Sequence, residues 1–462
     1  MSADLGPRDR KVFEGDSMTT KENRSAMGQP RLARLLYDIV FFFFALLYIP
    51  TFLVKGKHKA GFFSRFGRVS KAVKRSLAGK KVIWVHAVSV GEIVQAVRLV
   101  NSLREEAEDC KFVLTATTTA GREVALKLKG DDDTVLYFPV DFRGCVRRFI
   151  RDIAPRAVII LETEIWPNLI FELSKRGVPV FIVNGRISDR AIGKYRLARF
   201  FLKPVLNRLT KIWVQDELMQ SRFIDLGADP DLVSVTGNMK FDWEPAADHL
   251  QTAERMERAL KGSGSFLCIV GSTHEGEEDI IFDLFRSLRK KFLSFQLLIA
   301  PRHLTRLESI EARAAKKGVE TKRVSNFLDE SQKGIPNADE GTILILDKIG
   351  VLASLYRLAD VVVIGGSFVP VGGHNLVEPA YFEKPILFGP HMHNFKEMAE
   401  AFKGANAAIE VKDAGGLEKV ILSLAQDPHR RKTLGSAAKK LVSQHQGATG
   451  RNVQELLSLL KL

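Results

Sequence analysis

At 462 residues the chain is too long for one ordinary hydrophobic core and fits two domains of roughly 150–200 residues each. Its 45% hydrophobic and 27% charged content is that of a globular protein and excludes a disordered one. The 69 Lys and Arg against 54 Asp and Glu leave a net +15, which favours an anionic partner (membrane surface, phosphorylated lipid, nucleotide or nucleic acid) without choosing among them. The three cysteines, Cys110, Cys145 and Cys268, are far apart and form no metal-ligand or redox spacing, so a reducing compartment is the economical reading. Cys268, inside the apolar run Phe266–Val270, reads as a small buried hydrophobe.

Residues 1–34 are polar and aperiodic and read as a flexible tail. Ile39–Val54 then carries no charge between Asp38 and Lys55, and residues 35–54 form a membrane-associated helix in this reading. The segment reaches a spanning length of about 20 residues only if Leu35–Asp38 is counted. From Lys55 to Lys81 the chain holds Lys55, Lys57, Lys59, Arg65, Arg68, Lys71, Lys74, Arg75, Lys80 and Lys81, with no acid. Cations beside an apolar segment attract anionic lipid and stay on the cytoplasmic side, which puts the bulk of the protein there. The alternative is a surface or core helix followed by a solvated basic loop.

Beyond residue 81, short β-branched runs alternate with helical stretches, the signature of parallel sheets with helices on both faces. The strand candidates of the first half are Val82–His86, Phe112–Thr117, Val135–Phe138, Ala157–Leu161, Val178–Val183, Lys211–Gln215 and Leu232–Thr236. Those of the second are Phe266–Val270, Phe295–Ala300, Thr342–Leu346, Val361–Ile364, Pro385–Phe388 and Ala407–Glu410. Gly237–Ala246 breaks the pattern as a linker, which divides the chain into an α/β domain over 55–240 and a second over 241–462. The final helical stretches, Gln426–Gln444 and Thr449–Leu460, cap the second domain or cross back to the first.

Ligands of open α/β sheets bind at the carboxyl ends of the strands, and the motifs fall there. After the first strand, Gly91 permits a tight turn and Glu92 enters the first helical turn, where its carboxylate can take a proton from a hydroxyl. Equally, Glu is ordinary at a helix N-terminus, and the dipole there lowers its pKa. Glu162 and Glu164 leave an apolar strand together, with Thr163 or Glu164 available to cap a helix that begins at Pro167. Lys240 lies in the linker, where it neutralises a leaving phosphate or is simply solvated. In the second half, Ser272 and Glu275 fit a capping box, and Arg302 after Pro301 stands where a phosphate or carboxylate would meet it. The glycine-rich run Gly365–His374 joins a buried strand to a helix and exposes backbone N–H groups to an anion. Glu378, one turn beyond His374 and Asn375, can accept both hydroxyls of a ribose; a wide glycine turn with Asn375 as helix cap is the plainer alternative. Neither GxGxxG nor a GKS/GKT phosphate loop is present, which argues against hydride transfer and ATP hydrolysis. There is no HExxH set. The DxD within Asp131–Asp133 sits in a polar turn and reads as a solvated loop, so a metal-dependent transferase is disfavoured. No nucleic-acid motif or aromatic-interleaved basic stripe appears.

The segments HAVSVGE (86–92), ETEIWPNL (162–169), NGRIS (184–188), TGNMKFD (236–242), STHEGEE (272–278), PRH (301–303), GGSFVPVGGHNLVEPA (365–380) and FGPHMHNF (388–395) resemble the 3-deoxy-D-manno-octulosonic acid (Kdo) transferases of lipopolysaccharide assembly, in order, from about residue 35 to the carboxyl terminus. The resemblance implies a GT-B fold, two Rossmann-like domains facing a cleft, the first for the acceptor and the second for CMP-Kdo. It further implies inverting transfer, without metal or cofactor, onto a phosphorylated, tetra-acylated lipid A precursor (lipid IVA) at the cytoplasmic face of the inner membrane, beside anionic lipid and without nucleic acid. By motif, Glu92 becomes the general base, and Glu162 and Lys240 stabilise the transition state. Pro301 and Arg302, Ile349-Gly350-Val351, and Asn375, Leu376, Val377 and Glu378 become the CMP site. Ile349–Val351 departs from the Met-Gly-Glu of some relatives. A UDP-sugar enzyme of the same fold, and an interaction protein that has lost catalysis, are the rival readings.

Overall fold

The computed structural model describes residues 35, 37–39, 63–245, 254, 256–257, 265–328 and 341–461. The tail 1–34 and residues 40–54 of the apolar segment lie outside these, so the membrane helix expected over 35–54 is described only at its start, where residues 35 and 37–39 are helical. No helix among the described residues is long and apolar enough to cross a membrane.

Two parallel-sheet α/β units account for the chain. The first sheet holds β1 (Lys81–Ala87), β2 (Cys110–Ala116), β3 (Thr134–Tyr137), β4 (Pro155–Leu161), β5 (Val180–Gly185), β6 (Lys211–Val214) and β7 (Val233–Val235), in the order β3-β2-β1-β4-β5-β6-β7. Its strands are nearly continuous apolar runs because both faces are covered. Along β1, Val82 and Trp84 enter one core layer while Ile83 and Val85 enter the other. The second sheet holds β8 (Phe266–Thr273), β9 (Phe295–Pro301), β10 (Glu320–Arg323), β11 (Thr342–Ile345), β12 (Val361–Ile364), β13 (Ile386–Phe388) and β14 (Ile409–Glu410), in the order β10-β11-β9-β8-β12-β13-β14. Leu267 and Ile269 of β8 face one layer, and Phe266, Cys268 and Val270 the other. Cys268 is fully buried, as its apolar run predicts, and burial pushes its thiol pKa up.

The boundary falls between Met239 and Lys240, inside the 3-10 turn Met239–Phe241. The first unit is discontinuous: residues from Gly447 onward belong to it, and the second unit ends at Gln446. Of the two courses expected for the last helix, it takes the crossing one, so the second unit stops short of it. Helix Ala448–Leu460 puts Ala448, Val453, Leu456 and Leu460 into the core layer that contains Ile93, Leu99 and Leu103 of helix Val90–Glu106. Arg451 Nε donates to Thr236 O (2.7 Å), the Thr236 hydroxyl to Asn452 Oδ1 (3.1 Å) and Arg156 to Leu460 O (3.2 Å).

Three local expectations are corrected. Neither Thr163 nor Glu164 caps the helix Pro167–Ser174. Its first N–H groups, on Asn168 and Leu169, donate to the buried Asp141 carboxylate at 3.0 and 2.9 Å. Asp38, which breaks the apolar segment, accepts from Asn168 Nδ2 (2.6 Å) and lies 3.5 Å from Arg143, while Tyr37 donates to Asp141 (2.9 Å). The Ser272–Glu275 capping box does not form, because the helix starts two residues later, at Glu277, after a left-handed Gly276 (φ 95°). In the Asp131–Asp133 turn, Asp133 is buried rather than solvated, and both its carboxylate oxygens accept from Arg104 Nη2 (2.7 and 2.6 Å).

Candidate active-site residues

In each sheet the strand order reverses beside the first strand of the unit, between β1 and β4 and between β8 and β12. Glu92, Glu162, Glu164 and the 365–378 run follow those strands, whereas Arg302 follows β9, 349–351 follow β11 and Lys240 follows β7. In the first unit, β1 delivers Ser89 and Glu92, and β4 delivers Glu162 and Glu164. Ser89 and Glu92 close a true capping box: the Ser89 hydroxyl accepts from Glu92 N–H (3.3 Å) and donates to Oε1 (2.7 Å), and Oε1 and Oε2 accept from Ser89 N–H (3.3 Å) and Val88 N–H (2.8 Å). Three donors and a helix N-terminus favour the ionised carboxylate, yet the pKa of Glu92 is raised. Burial, then the negative charge of Glu162, outweigh those bonds. The dipole does not set its basicity, and that expectation is corrected.

Glu162 is held in the left-handed region (φ 56°), which a non-glycine residue adopts only when its surroundings impose it. Its N–H donates to Val183 O of the neighbouring strand (3.0 Å). Glu164, released from capping, is half-buried, and burial together with Glu92 and Glu162 pushes its pKa up to about 7. Three carboxylates thus share one crevice. His86, at the end of β1, is fully buried against Phe138 (3.8 Å), and burial lowers its pKa to about 3, so it is neutral and adds no charge here.

Lys240 is half-buried in its 3-10 turn. What fixes the turn is a buried polar chain that the sequence reading missed. Gln95 donates to Gly91 O (3.2 Å), Asn184 Nδ2 to Gln95 Oε1 (2.7 Å) and Met239 N–H to Asn184 Oδ1 (3.1 Å), which links the Glu92 turn to the residue before Lys240. Asn184 is itself left-handed (φ 58°), an Asn ending an apolar strand, and that is the signal that marks it.

In the second unit, Arg302 follows β9 and is exposed, its N–H bonded to Thr273 O (3.0 Å). Burial first, and the charge of Arg302 among the further causes, lower the pKa of His274 and His374, and the same charge acts on Glu378, which places all four in one field. For Glu378 the balance is upward, since burial outweighs the Asn375 hydrogen bond (3.2 Å) and Arg302. Asn375 also caps: its Oδ1 accepts from Val377 N–H (3.0 Å). His274 and His374 stack with Nε2 to Nε2 at 2.9 Å, and burial brings His374 down to about 4. Leu376 and Val377 send their side chains into the core, so only their backbone faces a ligand. In 349–351, Ile349 is 85% exposed, Gly350 is left-handed and Val351 is buried, an arrangement that likewise offers backbone.

The glycine-rich turn is held by Glu277, absent from the sequence-based set. Its buried carboxylate accepts from His274 N–H (2.9 Å), Gly366 N–H (2.7 Å) and Phe368 N–H (3.0 Å). A Cβ on Gly365 would lie 2.5 Å from Ser272 O, and Gly366 has φ 65°, so glycine is required at both. A Glu three residues after His274, beyond a strand, is the pattern that would have revealed it. Among the described residues, no group of three or more His, Cys, Asp or Glu is arranged to hold a metal ion.

Comparison with known proteins gives this geometry its context. The sequence model of the family described as 3-deoxy-D-manno-octulosonic-acid transferase (kdotransferase) matches residues 60–243. The chain is 32% identical over 381 residues to the 3-deoxy-D-manno-octulosonic acid transferase of Haemophilus influenzae, covering 82% of this chain and 86% of that one. It is 31% identical over 401 residues to the same enzyme of Bordetella pertussis, covering 85% and 90%. Among solved structures, UDP-GlcNAc 2-epimerase from Neisseria meningitidis bound to UDP-GlcNAc superposes with a TM-score of 0.55 at 13% identity, over 82% of this chain and 100% of that one, a likeness of fold alone. With this sequence likeness running across both units, the chain belongs to the Kdo transferase family, the glycosyltransferases of lipopolysaccharide biosynthesis.

Proposed function

We propose that the chain transfers Kdo from CMP-Kdo to a hydroxyl of a phosphorylated, tetra-acylated lipid A precursor, lipid IVA, with inversion and without a metal. The GT-B arrangement belongs to this proposal, with the acceptor on the first unit and the donor on the second. Glu92 takes the proton of the acceptor hydroxyl as its oxygen bonds to the anomeric carbon, and CMP departs with the electron pair of the broken bond. Glu162 stabilises the positive charge that builds on the sugar, and Lys240 the charge of the departing phosphate. Arg302 and the backbone N–H groups of the glycine-rich turn hold the phosphate, Glu378 the ribose, and Pro301, 349–351 and 375–377 the remainder of the nucleotide.

The observation that carries the reading is the raised pKa of Glu92 inside a crevice of three carboxylates. Donors hold it in place while burial and a like charge keep it basic, the combination a general base needs near neutral pH. Mass spectrometry of the product formed from CMP-Kdo and lipid IVA tests it. A lipid gaining no Kdo mass would overturn it, and tighter calorimetric binding of UDP than of CMP would favour a UDP-sugar enzyme.

The reaction is assigned to the cytoplasmic face of the inner membrane, supported by the basic run 55–81 beside apolar residues 39–54. Deleting residues 1–54 is expected to release protein from membranes, wholly or partly. Undiminished sedimentation with lipid at high salt would contradict the assignment.

A further inference from the structure

His274 follows β8 directly and His374 ends the glycine-rich run after β12, so both stand where the order of the second sheet reverses. Their rings lie nearly parallel, 7° apart, and Nε2 meets Nε2 at 2.9 Å. Burial first holds both rings below the ordinary histidine pKa, so the pair is uncharged at neutral pH. In an uncharged pair only one Nε2 carries the shared proton. The donating ring is therefore bare at Nδ1, and the accepting ring is protonated there. Neither Nδ1 bonds to a described residue and neither is closed to solvent, in contrast to His86 Nε2, which is buried without a partner. The pair thus presents one open donor and one open acceptor. The groups around it are otherwise engaged. Both rings rest on Gly366, where a Cβ would lie 3.1 Å from His274 Cδ2 and 3.3 Å from His374 Cδ2. Glu277 already holds the turn through three backbone N–H groups, so the imidazoles are not needed to fasten it. Glu278 accepts from Arg306 (2.8 and 3.0 Å). His303 meets His274 edge-on at 5.9 Å, and the exposed Arg302 guanidinium makes no hydrogen bond or ion pair with a described residue.

We propose that the His274–His374 pair and Arg302 form the subsite that recognises a sugar acid, the sugar of the donor. The carboxylate accepts from the open Nδ1–H and from Arg302, the second a charge-assisted bond. A hydroxyl of the same sugar donates to the bare Nδ1, which an unprotonated phosphate oxygen cannot use. A neutral hexose leaves Arg302 and the Nδ1–H without an anion, and a polar site discriminates most strongly against the ligand that leaves its groups unpaired. That the sugar is Kdo rests on the proposed function. That it is an acid carrying a free hydroxyl rests on the three side chains themselves.

The test is calorimetry on the full chain without acceptor, with CMP-Kdo and CMP titrated separately into wild type, His274→Gln and His374→Gln. The glutamine amide stands where Nε2 stood and keeps the contact across the pair, but it has nothing at the place of Nδ1. Melting temperatures confirm the fold of each variant, and either variant alone decides. Wild type is expected to bind CMP-Kdo more tightly than CMP. Each variant is expected to lose about tenfold in affinity for CMP-Kdo, the loss of one hydrogen bond to a charged group, with CMP binding nearly unchanged. Unchanged CMP-Kdo binding in both variants, or wild type that holds CMP-Kdo no more tightly than CMP, overturns the subsite. So does an equal loss for both ligands, which makes the pair a support of the nucleotide turn. The proposed function fails separately, when the lipid gains no Kdo mass; a preference for CMP-Kdo that the variants lose stands even then.

Discussion

A carboxylate at a helix N-terminus is pulled two ways: three donors hold Glu92 ionised, while burial and Glu162 resist that charge. The second pair wins, and the donors are left to fix its direction. Glu92→Gln keeps the shape and removes the proposed base, so transfer is expected to fall by about 10²–10⁴-fold with CMP binding nearly unchanged by calorimetry. Near-normal turnover in that variant would remove Glu92 from the mechanism. Glu164 carries a different consequence. Its folded pKa of about 7 lies above the ordinary glutamate value of 4.5, so its ionised form is disfavoured in the fold, and stability is lost as pH rises between those values. Glu164→Gln is therefore expected to melt above wild type at pH 8 and level with it at pH 4, with roughly 2–4 °C for each kcal/mol of difference. A variant that melts lower at pH 8 would mean that Glu164 is held by partners that favour its charge.

At the scale of elements, what the sequence reveals depends on burial. Strands such as Val361–Ile364 are legible because a parallel strand covered on both faces must be apolar throughout. Glu320–Arg323 is strand too, but at the sheet edge beside β11 its residues are not buried, and ETKR carries no such pattern. Glu92, Glu162 and Arg302 are visible because each follows a legible strand. The supports behind them are not: Asp141 caps a helix from 27 positions away, and the donors that Glu277 satisfies lie 89 and 91 positions along the chain. Removing the distant cap with Asp141→Ala is expected to cost about 1–2 kcal/mol, read as a lower unfolding midpoint in denaturant. An unchanged midpoint would mean that water replaces the carboxylate without loss.

At the scale of the whole molecule, linker and halves are legible from a break in periodicity, whereas the owner of the last helix is not. An amphipathic helix shows which of its residues are buried but not against which partner. Helix Ala448–Leu460 fills the layer beside Val90–Glu106. A chain ending at residue 446 is therefore expected to expose the first unit to limited proteolysis while the second resists. Equal resistance of both units would show the helix to be dispensable.

That discontinuity orders the birth of the molecule. A ribosome builds residues 63–239 early, yet the helix that closes their core, Ala448–Leu460, is made only after everything the second unit requires. Translation thus supplies all of residues 240–446, the second unit, before the helix that completes the core of the unit bearing Glu92.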